Sequence, residues 1–595
     1  MRTRFGNTNL HANSALFARP SVIAVALATL CLAVYLPGLL AMPVMDRDEA
    51  RFAQASRQML ESALLPADQL DDNLHAGGLL IPRVGDTNRL NKPPAIYWLQ
   101  SASVAVFTAS DPTRDSIWMY RVPSLLAAVA TVLMTFSLAR TLYGIRIGTA
   151  VGALAACMLA VAPVFAWEAK QARADHVMVA ATTAAMWALA SIWMRIRRSQ
   201  PIPISLAAGF WLALGLGIMT KGVPIVIACT TIASLCALSR SFRPLMALRP
   251  LLGVVILAAC VLPWVIGVAN RVGWSDYLSL IADETLGRSV QSKEGHWGPP
   301  GYHLVALAAL FWPGSLLTAA AAVRAFRVGI RPAARAGFAR WIPSHAVRAP
   351  EAFLIAWLIP AWLIFELVST KLPHYTMPLY PAVALLTARA VVGFRPPARA
   401  RLKALPGGVG GLILWTILGV AWAAAIGVGA VALQHLGVWS TDSRLPVILP
   451  IGAASIIVAA LLVALSKPRA VVPLHGVAIA GMALALSLSG TAAFVGQANA
   501  THQLKPVLEA IGPDRPIAAV NYHEDSLIFA TRGRLERIDA ADMNDWADAH
   551  QSGVIIATDD IDPPFGWVRT GAPVEGLNLG KGRRVKLVAF TKVAQ

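Results

Sequence analysis

Near the start of the chain, eight residues concentrate charge: Met45-Asp46-Arg47-Asp48-Glu49-Ala50-Arg51-Phe52. The adjacent carboxylates Asp48 and Glu49, followed by Arg51, could take a proton from a hydroxyl and steady a negative group beside it. The same pattern also serves a plainer purpose, because acidic residues at a helix start satisfy orphan N–H groups and the helix dipole. A second cluster, Leu90-Asn91-Lys92-Pro93-Pro94-Ala95-Ile96-Tyr97-Trp98, sets a lysine before a proline pair and an aromatic segment. Lysine beside tyrosine and tryptophan can hold an anion at a membrane surface or simply anchor the chain at that depth.

The elements that carry these residues need lipid as their solvent. Of 595 residues, 56% are hydrophobic and only 14% charged, against roughly 25% charged in a soluble domain. Apolar runs long enough to span a bilayer recur at about 21–42, 122–139, 147–166, 176–194, 204–219, 223–239, 250–268, 302–323, 352–369, 376–393, 410–434, 447–466 and 471–494. The first run follows Arg2, Arg4 and Arg19, but no small-residue cleavage site stands out after it, so it reads as a retained helix. The five cysteines all fall inside apolar runs and read as small packing residues.

The net charge of +19 would suit nucleic acid were it not confined to alternate short loops. Arg140 and Arg146, then Arg195, Arg197 and Arg198, then Arg240, Arg243 and Arg249, the six arginines from Arg324 to Arg348, the set Arg395 to Lys403, and Lys467 with Arg469 all fall on one side. That side is cytoplasmic by the excess of Lys and Arg, and it includes the N-terminus. The opposite loops hold the acids Asp46, Asp48, Glu49, Glu168, Asp175, Asp283 and Glu284, with Lys92, Lys221 and Lys371. The first of these loops, 43–121, contains an amphipathic stretch, Glu49–Leu60, and an apolar segment, Ile96–Val106, too short to span and suited to the interface. Its stretch Ala67–Leu80, with Asp68, Asp71, Asp72 and His75, reads as a solvated loop.

From residue 496 the composition changes, and 11 basic and 13 acidic residues leave the tail almost neutral. Segments Pro516–Tyr522, Gly553–Thr558 and Arg584–Thr591 read as strands and Ala540–His550 as a helix, so 496–595 is expected to be a small α/β domain with an accessory role. The expected architecture is an α-helical polytopic membrane protein. It has a short cytoplasmic N-terminus (1–20), about thirteen transmembrane helices within 21–495, and a periplasmic C-terminal domain.

In order along the chain come Asp-Glu-Ala-Arg-Phe at 48–52, Lys-Pro-Pro-x-x-Tyr-Trp at 92–98, Arg121-Val-Pro-Ser, Ala172-Arg173-Ala174-Asp175 and Thr220-Lys221-Gly222. Glu284-Thr285-Leu286-Gly287-Arg288 with His296, and Thr370-Lys371-Leu372-Pro373-His374-Tyr375, complete the series. Each motif is weak alone. The ordered set, over about residues 20–390, resembles the bacterial lipid A aminoarabinose transferases and their relatives in the protein O-mannosyltransferase superfamily, whose fold is of the GT-C type.

The resemblance implies an inner-membrane glycosyltransferase taking a sugar from a polyprenyl-phosphate carrier to lipid A, another envelope glycan or a protein, with membrane lipids and not nucleic acid as its surroundings. It implies Asp48 and Asp175 at the reaction centre, with Glu49 beside them. It places Arg51 and Lys92 near the carrier phosphate or the sugar, and makes Tyr97, Arg173, Glu284, His296, His374 and Tyr375 further candidates for binding substrate. Lys92, Lys221, Arg288 and Lys371 are candidates for a cationic clamp on the leaving phosphate. Two departures stand out. Asn91 replaces a glutamate implicated in metal binding, and Thr285 replaces a usual histidine. They make zinc at that place unexpected, so no metal ligand is assigned and a divalent metal stays an open possibility. A lipid-linked saccharide transporter is the rival from another class. Against it, the charges sit in loops on one face instead of near the midplane, and no internal repeat is evident.

Overall fold

The computed structural model describes residues 19–45, 47–283, 297–330, 349–392, 496–512 and 515–592, with isolated positions at 417, 421 and 481. The expected spans at 410–434, 447–466 and 471–494 lie outside the described residues. Most of the others coincide with helices: α1 (Pro20–Tyr35), and, beyond the first loop, α5 (Ile117–Tyr143), α6 (Ile145–Val161), α8 (Asp175–Arg197), α9 (Ile204–Thr220), α10 (Val223–Ser239), α12 (Pro250–Val272) and α16 (Ala349–Leu367). Among the described residues, α5, α8, α12 and α16 are both long and apolar enough to cross a membrane; α1, α6, α9 and α10 are shorter apolar helices.

Gly144 ends α5 at φ 77°, a left-handed conformation that suits glycine. The chain reverses there, and α6 returns against α5. Gly148 and Gly152 allow the close approach, since a Cβ would come 2.6 Å from the Ala139 carbonyl oxygen and 2.7 Å from that of Phe136. One continuous apolar core then runs through α1, α5, α6, α8, α16 and α17 (Tyr380–Val392).

Two expected spans are corrected. The run 302–323 is two helices, α14 (Tyr302–Leu310) and α15 (Thr318–Ala325), because Pro313 lacks the N–H that would continue the ladder. The run 376–393 begins as a tight turn of helix, Pro373–Leu379, rich in proline, before α17.

The first loop folds into α2 (Arg47–Leu64), a short α3 (Asp72–His75), a two-stranded ribbon β1 (Arg83–Val84) and β2 (Thr87–Asn88), and α4 (Ala95–Phe107). At 13 residues α4 is too short to span, as expected of the 96–106 segment. The amphipathic stretch expected at 49–60 lies within α2, and packing covers both of its faces. Every residue from Phe52 to Glu61 is buried, polar ones included. The polar groups find partners on both sides of α2. Ser56 donates to Gln100 at 2.7 Å, Gln58 donates to the Gly85 carbonyl at 2.8 Å, and Arg57 pairs with Asp115 at 2.7 Å.

The C-terminal unit is a five-stranded sheet in the order β4-β3-β5-β7-β6. Strands β3 (Ile517–Val520), β5 (Val554–Thr558) and β7 (Arg583–Lys592) fall on the three expected segments, while β4 (Leu535–Ile538) and β6 (Trp567–Asn578) were not anticipated. β4, β3 and β5 run parallel; β7 pairs antiparallel with β5 and β6. Helix α18 (Asp525–Ala530), between β3 and β4, packs on α2, and α19 (Met543–Ala549) covers the other sheet face beside Ile555 and Phe590. Arg532 donates to Asp115 at 2.8 Å and to Glu61 at 2.5 Å, and the Arg57 guanidinium lies 3.8 Å over the Phe529 ring. The first loop is therefore clasped between the helices and the sheet domain.

Gly152→Val should lower the melting temperature of the detergent-solubilised protein by forcing α5 and α6 apart, whereas valine at the exposed turn glycine Gly222, where a Cβ meets nothing within 4 Å, should leave it near wild type. Equal melting of the two variants would refute the close-packing account.

Candidate active site

Five short segments converge around the N-terminal end of α2: the loop after α1, the helix and turn Pro163–Ala174 before α8, the Lys221–Gly222 link between α9 and α10, the 373–379 turn, and Arg89 just after β2. Glu49 and Arg121 fix that meeting point. Arg121, fully buried near the start of α5, donates to both Glu49 oxygens at 2.8 and 2.9 Å and to the carbonyls of Leu39, Met42 and Pro43. Glu49 also accepts from the backbone N–H of Met45 and of Ala172 at 2.9 and 3.0 Å. A carboxylate so engaged presents no face to a substrate. Its neighbour Asp48 is half exposed, with Arg89 at 3.7 Å and Arg51 at 3.9 Å. Arg89 is held in place by donating to the Tyr97 hydroxyl at 3.1 Å and by lying 5.0 Å over the Phe52 ring.

Across from Asp48, Asp175 opens α8 and accepts from Lys221 Nζ at 2.8 Å, while His374 Nε2 stands 3.9 Å away. Lys221 also lies over the Tyr375 ring at 5.2 Å. Glu168, at the end of α7 (Pro163–Glu168), lies 3.3 Å from Arg173 and 3.7 Å from His374 Nδ1. Burial, and then the nearby Asp175 charge, hold Glu168 well above the usual carboxylate range. Burial pulls His374 down to about 4, which leaves the ring neutral. Burial also works against the charge of Lys221, but the Asp175 carboxylate outweighs it and the ammonium is kept.

Beside this cluster is a cavity of about 610 Å³. Met178, Ile225, Val226, Val261, Val265 and Ile364 give it apolar walls, and Asn91, Lys92, Lys221, Thr370 and Tyr375 supply polar lining. Among the described residues no group of three or more His, Cys, Asp or Glu side chains is placed to hold a metal ion.

Residues 91–266 match the family model for dolichyl-phosphate-mannose-protein mannosyltransferases. Over 365 residues the chain is 25% identical to the undecaprenyl phosphate-α-4-amino-4-deoxy-L-arabinose arabinosyl transferase of Erwinia tasmaniensis, covering 60% of this chain and 57% of that one. Over 379 residues it is 27% identical to a Pseudomonas fluorescens protein of the same description, covering 60% and 56%. The chain thus spans little more than half the length of these relatives. The whole fold is similar to that of ArnT from Cupriavidus metallidurans solved with undecaprenyl phosphate, with a TM-score of 0.70 at 18% identity over 96% of this chain and 97% of that one. The chain is thus similar in sequence to these arabinosyl transferases and in fold to ArnT. Its described residues are mostly helical, with four helices long and apolar enough to cross a membrane, and end in a C-terminal sheet domain.

Of the residues that the superfamily motifs single out, Asp48, Arg51, Asp175, Arg173, Lys221, His374 and Tyr375 are drawn into one charged cluster, and Lys92 lies in the cavity wall. Tyr97 is fully buried and receives the Arg89 hydrogen bond. Lys371 turns back to donate to the Val368 carbonyl at 2.6 Å. Glu284, Arg288 and His296 lie outside the described residues. Three residues of the cluster were not among the candidates. Glu168 was visible as one of the acids of the outer loops, and Arg89 lies two residues before Asn91 and Lys92. Asp525, paired with Arg51 at 2.7 Å, carried no local signal at all.

Arg121→Met should destabilise the protein by about 3–5 kcal/mol, the penalty for stranding a buried partner charge. The double variant Glu49→Gln/Arg121→Met should recover part of that loss in a thermal melt. Additive losses would show that the pair does not act as a unit.

Proposed function

We propose that the protein is a glycosyltransferase that moves a sugar from a polyprenyl-phosphate carrier to lipid A or another envelope acceptor, on the periplasmic face of the inner membrane. The observation that carries this reading is the apolar cavity with Lys92 and Lys221 in its wall, joined through Lys221 to the Asp48–Asp175 cluster. A polyprenyl tail gains little by leaving lipid for an equally apolar cavity, so recognition must come from the phosphate and the sugar. Two ammonium groups in a site largely shielded from water provide it. The names of the relatives and the likeness to a structure holding undecaprenyl phosphate support the same donor class.

In the reaction, an acceptor oxygen attacks the anomeric carbon as the bond from that carbon to the phosphate oxygen breaks. The electron pair leaves with the polyprenyl phosphate, and Lys92 and Lys221 stabilise the growing charge. Asp48 takes the proton when the acceptor is a hydroxyl. When the acceptor is a phosphate no proton is released, and Asp48 orients the sugar or Arg51 instead. A single displacement inverts the anomeric centre. Asp175 holds Lys221, the neutral His374 supplies hydrogen bonds without adding charge, Glu168 holds Arg173, and Glu49 positions Asp48. Glu284, Arg288, His296 and Lys371 belong to the reading through the superfamily motifs. Arg51, Arg173 and Tyr375 complete the polar wall on the substrate side.

The same reading puts the N-terminus in the cytoplasm, about thirteen helices through the membrane and the C-terminal domain in the periplasm, on the strength of the arginine-rich loops. A protein hydroxyl is the second candidate acceptor, favoured by the match of residues 91–266 to the protein mannosyltransferase model.

The test is sugar transfer in reconstituted membranes from a panel of synthetic polyprenyl-phosphate sugars, with lipid A and a serine- and threonine-rich peptide as competing acceptors. Asp48→Asn should lose about 100-fold or more of the rate with a hydroxyl acceptor, and Lys221→Met should lose rate with either acceptor. Transport of a lipid-linked saccharide across vesicles with no transfer from any donor would replace the enzyme by a transporter.

A further inference from the structure

The C-terminal domain reaches the proposed reaction centre through one side chain. Asp525 opens α18 and is only 5% exposed at its side chain, with Oδ2 2.7 Å from Arg51 Nε and Oδ1 2.7 Å from an Arg537 nitrogen. The Nη1 nitrogen of Arg51 stands 3.9 Å from Asp48, beyond hydrogen-bond distance. Arg51 lies three residues after Asp48 on the same face of α2, a spacing at which such a pair closes when nothing competes. Here the tail-domain carboxylate competes and takes the short contact. Arg89, another cation near Asp48, stays at 3.7 Å, held by Tyr97 and Phe52.

We propose that Asp525 is a positioning residue for the transfer reaction, which retains Arg51 and so keeps it from closing onto Asp48 at hydrogen-bond distance. The idea rests on the transferase reading of this site. It makes the tail domain part of the reaction centre instead of an accessory module. Docking of the domain does not depend on this contact. Arg532 with Asp115 and Glu61, Arg57 with the Phe529 carbonyl, and Asn499 with the Val44 carbonyl join the two parts independently. Removing the Asp525 charge should therefore release Arg51 toward Asp48 while the domain stays in place.

The experiment is a kinetic double-mutant cycle on the full-length protein in nanodiscs. Asp525→Asn should lower kcat about tenfold with the donor KM changed less than about twofold, and Asp525→Glu should restore most of the rate. In an Arg51→Gln background Asp525→Asn should cost nothing further, because the effect runs through that arginine. Wild-type kcat in Asp525→Asn, or an equal loss in both backgrounds, overturns the proposal while leaving the transferase reading intact. Should wild type transfer sugar from no donor, it is the transferase reading that fails, and a second cycle decides the contact. Thermal melts of Asp48→Asn and Arg51→Gln, singly and together, should show larger coupling between the two positions when Asp525 is Asn. Coupling of the same size in both backgrounds would refute the restraint on Arg51.

Discussion

Arg121 sits on α5 with no exposure to solvent, and every other part of the site is arranged around what it binds. A guanidinium in such a place survives only if its charge and its donors are all met, since the desolvation cost is several kcal/mol. One carboxylate and three backbone carbonyls meet them, and Glu49 in turn accepts from two backbone N–H groups. That single knot ties the loop after α1, the start of α2, α5 and the loop before α8. It also explains how two adjacent acids come to differ. Glu49 points into the knot, and the turn of the helix sends Asp48 out toward the cleft.

The cleft concentrates charge without becoming uniformly acidic or basic. Acids and cations alternate across it, Asp48 beside Arg89 and Arg51, Asp175 beside Lys221, Glu168 beside Arg173. Burial and the Asp175 charge shift Glu168 toward its neutral form, and His374 stays neutral. What remains is an ammonium group that faces both the carboxylates and the apolar cavity. A ligand with a greasy tail and an anionic head fits that combination, because its two ends need opposite surroundings a few ångströms apart.

The burial of α2 shows why the chain needs its sheet domain close by. A helix with Gln54, Arg57, Gln58 and Glu61 along its length is a poor candidate for a core, yet all four are buried. They are accommodated because α4 and the β-ribbon offer partners on one side, and Asp115, Phe529 and Arg532 on the other. The same clasp that satisfies α2 brings Asp525 within reach of Arg51.

The sequence by itself determined most of the apolar helices among the described residues, the sharing of charge between alternate loops and the ordered motifs that resemble the superfamily. Those features are legible because a bilayer imposes a one-dimensional rule: a helix must be apolar for its whole length, and polar chemistry is pushed to the loops at its ends. Strands β3, β5 and β7 were readable for a similar reason, as short apolar runs between turn residues. Tertiary structure decided the rest. Whether Asp48 or Glu49 faces the cleft depends on Arg121, 72 residues further along from Glu49, and no local pattern records it. That α2 is buried, that Arg89 and Glu168 join the cluster, and that Asp525 reaches Arg51 from the far end of the chain all follow from packing between segments distant in sequence. Charge pairs and buried polar groups are settled by which partners arrive, and that is a property of the folded chain alone.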